Sequence, residues 1–104
     1  MKLTHVVAAE AALQKGLRKD PYSYACHLAL SQLYLETAQL ALARQNFEWL
    51  ARFFPDSDAS TFRSLAGVEL MTGDVKSARA ALRKGHRIFP DDTSLQKIHG
   101  SLGQ

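Results

Sequence analysis

Small and bulky side chains recur along this chain at helical spacing, and the pattern repeats. Twelve, eight and five residues before Pro21 lie Ala9, Leu13 and Gly16. The same steps back from Pro55 and Pro90 give Ala43, Phe47 and Leu50, then Ala78, Leu82 and Gly85. Offsets of four and three put each trio on one face of a helix. Small residues in such a row let a neighbouring helix come close, and the bulky one fills the space between them. Leu50 takes the place of a small residue in the middle copy. A second amphipathic segment lies upstream, with His27, Leu30, Ser31 and Tyr34 in one copy and Phe62, Leu65, Ala66 and Glu69 in the next. Each unit therefore reads as helix, turn, helix. Gly73-Asp74 reads as a tight turn followed by an N-cap, and Ala38 stands at the corresponding place one copy earlier.

The three prolines are 34 and 35 residues apart. A proline cannot continue a helix but sits well just beyond its end or early in the next element. Asp56, Asp91 and Asp92 follow the last two prolines as acidic starts for what comes next. The pattern predicts full units over 24–57 and 59–92 of a single domain spanning 1–104. Residues 4–19 read as the second helix of a unit whose first helix is missing. Residues 92–102, with Leu95, Ile98 and Leu102 three and four apart, read as a capping helix.

A helical period near 34 residues marks a stacked repeat. The chain resembles the tetratricopeptide repeat family, best over Phe62 to Pro90, where Gly73-Asp74-Val75, Ala78, Leu82 and Ile88-Phe89-Pro90 fall where the family pattern wants them. The match is degenerate: Glu69 stands for the usual aromatic, Ser31 for the usual glycine and Ala38 for the turn glycine. The resemblance implies an all-α fold of about six helices, with antiparallel helix-turn-helix repeats stacked as a short right-handed superhelix. It also implies a protein-binding role, through the surface made by the first helix of each unit.

Composition agrees with a globular chain, at 46% hydrophobic and 22% charged residues. No apolar run approaches the roughly 20 residues of a membrane helix, and Glu10 interrupts the short apolar stretch at the N-terminus, so the expectation is a cytoplasmic protein without membrane association. The single cysteine, Cys26, leaves no internal disulfide and lies in an apolar helical stretch, where a buried, inert thiol is expected. Histidines 5, 27, 86 and 99 lie in no metal-binding motif, and Ser31, Ser64 and Ser77 have no flanking elbow of glycines. These features point away from catalysis and from any cofactor or metal. His27 holds a core-like offset and reads as a packing residue.

Three surfaces are candidates for partners. The first is a groove on the first helices of the two units: Leu28, Gln32, Leu35 and Glu36, then Arg63, Gly67, Leu70 and Met71. Leucine and methionine there suit an extended or helical apolar segment of a protein or peptide partner. The charge-paired clamp with which some tetratricopeptide proteins grip a C-terminal carboxylate is not evident, since leucine and glutamine stand where its donors would be needed. The second is the first helix, where Val6, Val7, Leu13 and Leu17 form an apolar side lacking its usual cover, joined by an exposed-looking Trp49. That side would meet a partner or a second copy of the chain, giving a hetero- or homo-oligomer. The third is a basic stripe of Lys76, Arg79, Arg83 and Arg87, read as a solvated outer face. An acidic protein surface is its next reading, and a regulator associated with nucleic acid a weaker alternative, since aromatic interleaving and high overall charge are lacking. By analogy of fold and size, the chain is similar to small bacterial chaperones of type III secretion, which act in virulence, although no diagnostic motif of that group is present.

Overall fold

The computed structural model describes residues 3–102. Among these, the chain forms six α-helices and no strand: α1 (Leu3–Lys19), α2 (Tyr24–Glu36), α3 (Leu40–Phe53), α4 (Ser60–Met71), α5 (Val75–Ile88) and α6 (Thr93–Ser101). The fold is all-α, and each predicted helix is present.

The turns carry the repeat in their hydrogen bonds. After α4, the Asp74 N–H donates to the Glu69 carbonyl at 2.8 Å and the Gly73 N–H to Leu70 at 3.0 Å. After α2, the Gln39 N–H donates to Tyr34 at 2.8 Å and the Ala38 N–H to Leu35 at 3.1 Å. Both are Schellman closures, which need a left-handed residue just past the helix. Gly73 supplies it with φ of 85°, and Ala38 with φ of 59°. In both turns the preceding threonine also folds back: Thr37 Oγ1 donates to Leu33 and Thr72 Oγ1 to Glu69.

Side-chain caps set several helix starts. Ser23 accepts from the Cys26 N–H ahead of α2, Asp74 from Ser77 ahead of α5, and Asp92 from Leu95 ahead of α6. Each satisfies a backbone donor that has no partner within its helix. Asp56 does not act as the start of α4. That helix begins at Ser60, whose N–H is taken by Asp58 Oδ1 at 2.9 Å.

The chain divides into two compact units, Met1–Asn46 and Phe47–Gln104, with the division inside α3. In the first unit α1 packs on α2. Gly16 is the close point, since a Cβ there would lie 2.8 Å from Cys26 Sγ. Cys26 is half-buried rather than sealed: its sulfur faces Gly16 at the helix contact, while the residue keeps part of its surface exposed. In the second unit α4 packs on α5, and α6 packs on both. Gly85 is the close point here: a Cβ would meet Phe62 Cβ at 2.7 Å and Leu95 Cδ1 at 3.3 Å. All eight repeated positions of α2 and α4 are buried, from His27 to Tyr34 and from Phe62 to Glu69. Ala43, Phe47, Leu50, Ala78, Leu82 and Gly85 are buried too, whereas Ala9, Leu13 and Gly16 are only half-buried. The first copy of the trio is thus the least covered. Leu95 of α6 is fully buried, with Ile98 and Leu102 half-buried.

Candidate protein-binding surfaces

In the first unit, the α2 row has two half-buried leucines, Leu28 and Leu35, beside the exposed Gln32 and Glu36. The opposite side of α2 is anchored by polar contacts. His27 is buried, its Nε2–H donates to the Pro21 carbonyl at 2.9 Å, and its Nδ1 lies 3.1 Å from the Asn46 side chain. It is a structural histidine that ties the loop before α2 to its own helix. The Tyr34 hydroxyl donates to Glu10 Oε1 at 3.1 Å and accepts from Gln14 Nε2 at 3.2 Å, which fixes α1 in azimuth. Burial, then the bond to the Glu10 carboxylate, raise the Tyr34 pKa above its ordinary value.

That azimuth sorts the predicted α1 surface. Val6 is buried and cannot form part of an outer interface, because the turn that seats Glu10 against Tyr34 carries Val6 inward with it. Leu13 and Leu17 are half-buried, and Val7 is 58% exposed. Leu3, one turn before Val7, is also exposed and extends the apolar strip. Its four-residue spacing from Val7 was the available sequence signal.

In the second unit, the α4 row contains Arg63, Gly67 and Leu70, all half-buried, and Met71, which is 58% exposed. Nothing would meet a Cβ at Gly67 within 4 Å, so the backbone is open at that point. Arg63 is not a free donor for a partner, since its Nη1 pairs with Asp92 Oδ2 at 2.9 Å. Asp92 caps α6 with its other carboxylate oxygen, so one side chain fastens α6 to α4. The Leu95 N–H foremost, and then the Arg63 cation, hold the Asp92 carboxyl below the usual aspartate range.

Trp49 is half-buried rather than exposed, because it leans on two rings, Phe53 at 4.9 Å and Phe54 at 5.7 Å between centroids. The more exposed ring is Phe53, with the Arg52 guanidinium 5.4 Å from its centroid. Phe53 lies one turn after Trp49, a spacing that places both on one helix face.

The basic stripe is not uniformly solvated. Lys76, Arg83 and Arg87 are exposed, but Arg79 is half-buried and its Nη2 donates to the Leu102 carbonyl at 2.7 Å. Packing of α6 on α5 brings that carbonyl within reach. Among the described residues, no group of three His, Cys, Asp or Glu side chains could hold a metal ion, and no helix is long and apolar enough to cross a membrane. The chain matches no family model and no curated protein.

Proposed function

We propose that this chain is a non-catalytic protein-binding module of the tetratricopeptide type, which holds an apolar segment of a partner protein. The observation that carries the reading is Met71 at the end of α4, 58% exposed next to the half-buried Leu70. A large apolar side chain left fully in water forgoes roughly 1.5–3 kcal/mol, and burial by a partner would recover the share that Met71 leaves exposed. Methionine is well suited to such a surface because its flexible thioether adapts to different shapes. The repeated turns at Ala38 and Gly73 support the family assignment. The Leu28 and Leu35 row of α2 offers a surface of the same kind within the first unit.

The test is a comparison of wild type, Met71→Asp and the double variant Leu35→Asp/Met71→Asp as baits in lysate of the native cell, with circular dichroism to check folding. A specifically retained protein should be lost from the single variant, whose exposed site tolerates a charge, and from the double. Retention of that protein by both folded variants counts against the reading.

A further inference from the structure

We propose that the α5–α6 face of the second unit is a docking cleft for an acidic peptide segment, distinct from the apolar rows. A cleft of about 320 Å³ is lined by Val75, Lys76, Arg79 and Arg83 of α5 and His99 of α6. No carboxylate of a described residue lines it. The nearest acid along α5, Asp74, has its carboxylate on the Ser77 N–H as the helix cap. Arg87 continues the same side of α5 beyond the cleft. Arg79 is held in place by its Nη2, which donates to the Leu102 carbonyl, while its buried Nε has no hydrogen-bond partner. A cation already fixed in position loses little side-chain freedom when an anion arrives.

The spacing of the cations selects the occupant. At about 1.5 Å of rise per residue, Lys76 and Arg83 are separated by about 10 Å along the axis. Cations spread over that length suit a ligand with several anionic groups better than one small oxyanion, and carboxylates on an extended peptide recur about every 7 Å on one side. Val75 lines the head of the cleft and is 41% exposed, so it supplies apolar contact for an aliphatic residue flanking the acids on the same side of the peptide. A nucleic acid is disfavoured because no Phe, Tyr or Trp ring lines the cleft and the whole chain carries only +3.

The experiment titrates the ¹⁵N-labelled full chain with a synthetic peptide carrying Asp or Glu at alternate positions and one Val or Leu at the next alternate position beside them. Parallel titrations use its Asn/Gln counterpart, inorganic phosphate and a single-stranded oligonucleotide. The acidic peptide should move the amides of residues 75–83 and 99, and added salt should weaken it. The exposed pair Lys76→Ala/Arg83→Ala should lower its affinity about tenfold with the spectrum otherwise preserved. Unchanged affinity in that variant overturns the proposal. So does equal binding of the Asn/Gln peptide, or phosphate or the oligonucleotide binding at these amides as tightly as the acidic peptide. Binding at the cleft is read independently of Met71→Asp bait experiments, so failure of one proposal does not imply failure of the other.

Discussion

Ala38 adopts a backbone conformation that side chains bearing a Cβ avoid, with φ of 59° in the turn after α2. The left-handed region costs an L-residue roughly 1–2 kcal/mol, and here the Schellman closure imposes it. The residue is exposed, so its methyl contributes little packing in return. Glycine would remove the strain while adding roughly 0.5–1 kcal/mol of unfolded-state entropy. Ala38→Gly should therefore stabilise the protein by up to about 1 kcal/mol, measured as a higher urea midpoint at unchanged m-value. A lower midpoint would mean that the turn does not impose the strain. Gly73 already holds the corresponding place in the second turn with φ of 85°. The two copies thus differ by one methyl group at the same structural position.

At the scale of the elements, helix approach is governed by single positions. At Gly85 an added Cβ would meet the Cβ of Phe62, which cannot swing aside as the tip of a flexible side chain can. Overpacking of this kind costs roughly 1–3 kcal/mol, against a helix-propensity gain of up to about 1 kcal/mol. Gly85→Ala should therefore destabilise by about 1–2 kcal/mol. Gly67→Ala, in α4 with nothing near the new methyl, should stabilise by about 0.5–1 kcal/mol. Denaturant melts of the two variants should move in opposite directions, and a shared direction would contradict the packing described. The sequence made such positions legible because burial follows helical period: the repeated offsets located the buried faces of α2 and α4 and the close points at Gly16 and Gly85. It did not reveal the pairings of Arg63 with Asp92, Arg79 with Leu102 or Tyr34 with Glu10. Those partners are 29, 23 and 24 residues apart. Which side chain reaches which depends on how far each helix is rotated about its axis, and spacing alone leaves that open. For the same reason Val6 and Val7, adjacent in sequence, part company into core and surface. The start of α4 was also beyond reading, since Asp56, Ser57 and Asp58 are all suitable caps, yet the helix starts after Ala59 with no side-chain cap and Asp58 only takes the Ser60 N–H in the turn before it.

For the whole molecule, two groups with shifted pKa values, one in each unit, bound stability at opposite ends of the pH scale. The Asp92 carboxyl is lowered in the folded chain, so its contribution is complete above the ordinary aspartate value near 4. As pH falls through the depressed folded value, protonation removes it, because the unfolded chain binds that proton more readily. Tyr34 has the opposite sign. Its folded pKa lies above 10.0, so its contribution is complete below that value and is lost as pH rises through the raised one. The urea midpoint should therefore fall on both sides of a neutral plateau. Asp92→Asn keeps a competent cap while removing the titration, and should flatten the acid limb alone. Tyr34→Phe should flatten the alkaline limb alone, at the cost of leaving Glu10 and Gln14 without the phenol. If each variant lowered the plateau but left its own limb as steep as in wild type, the fastening of α6 by Asp92 and of α1 by Tyr34 would be structural contacts without the electrostatic role assigned to them.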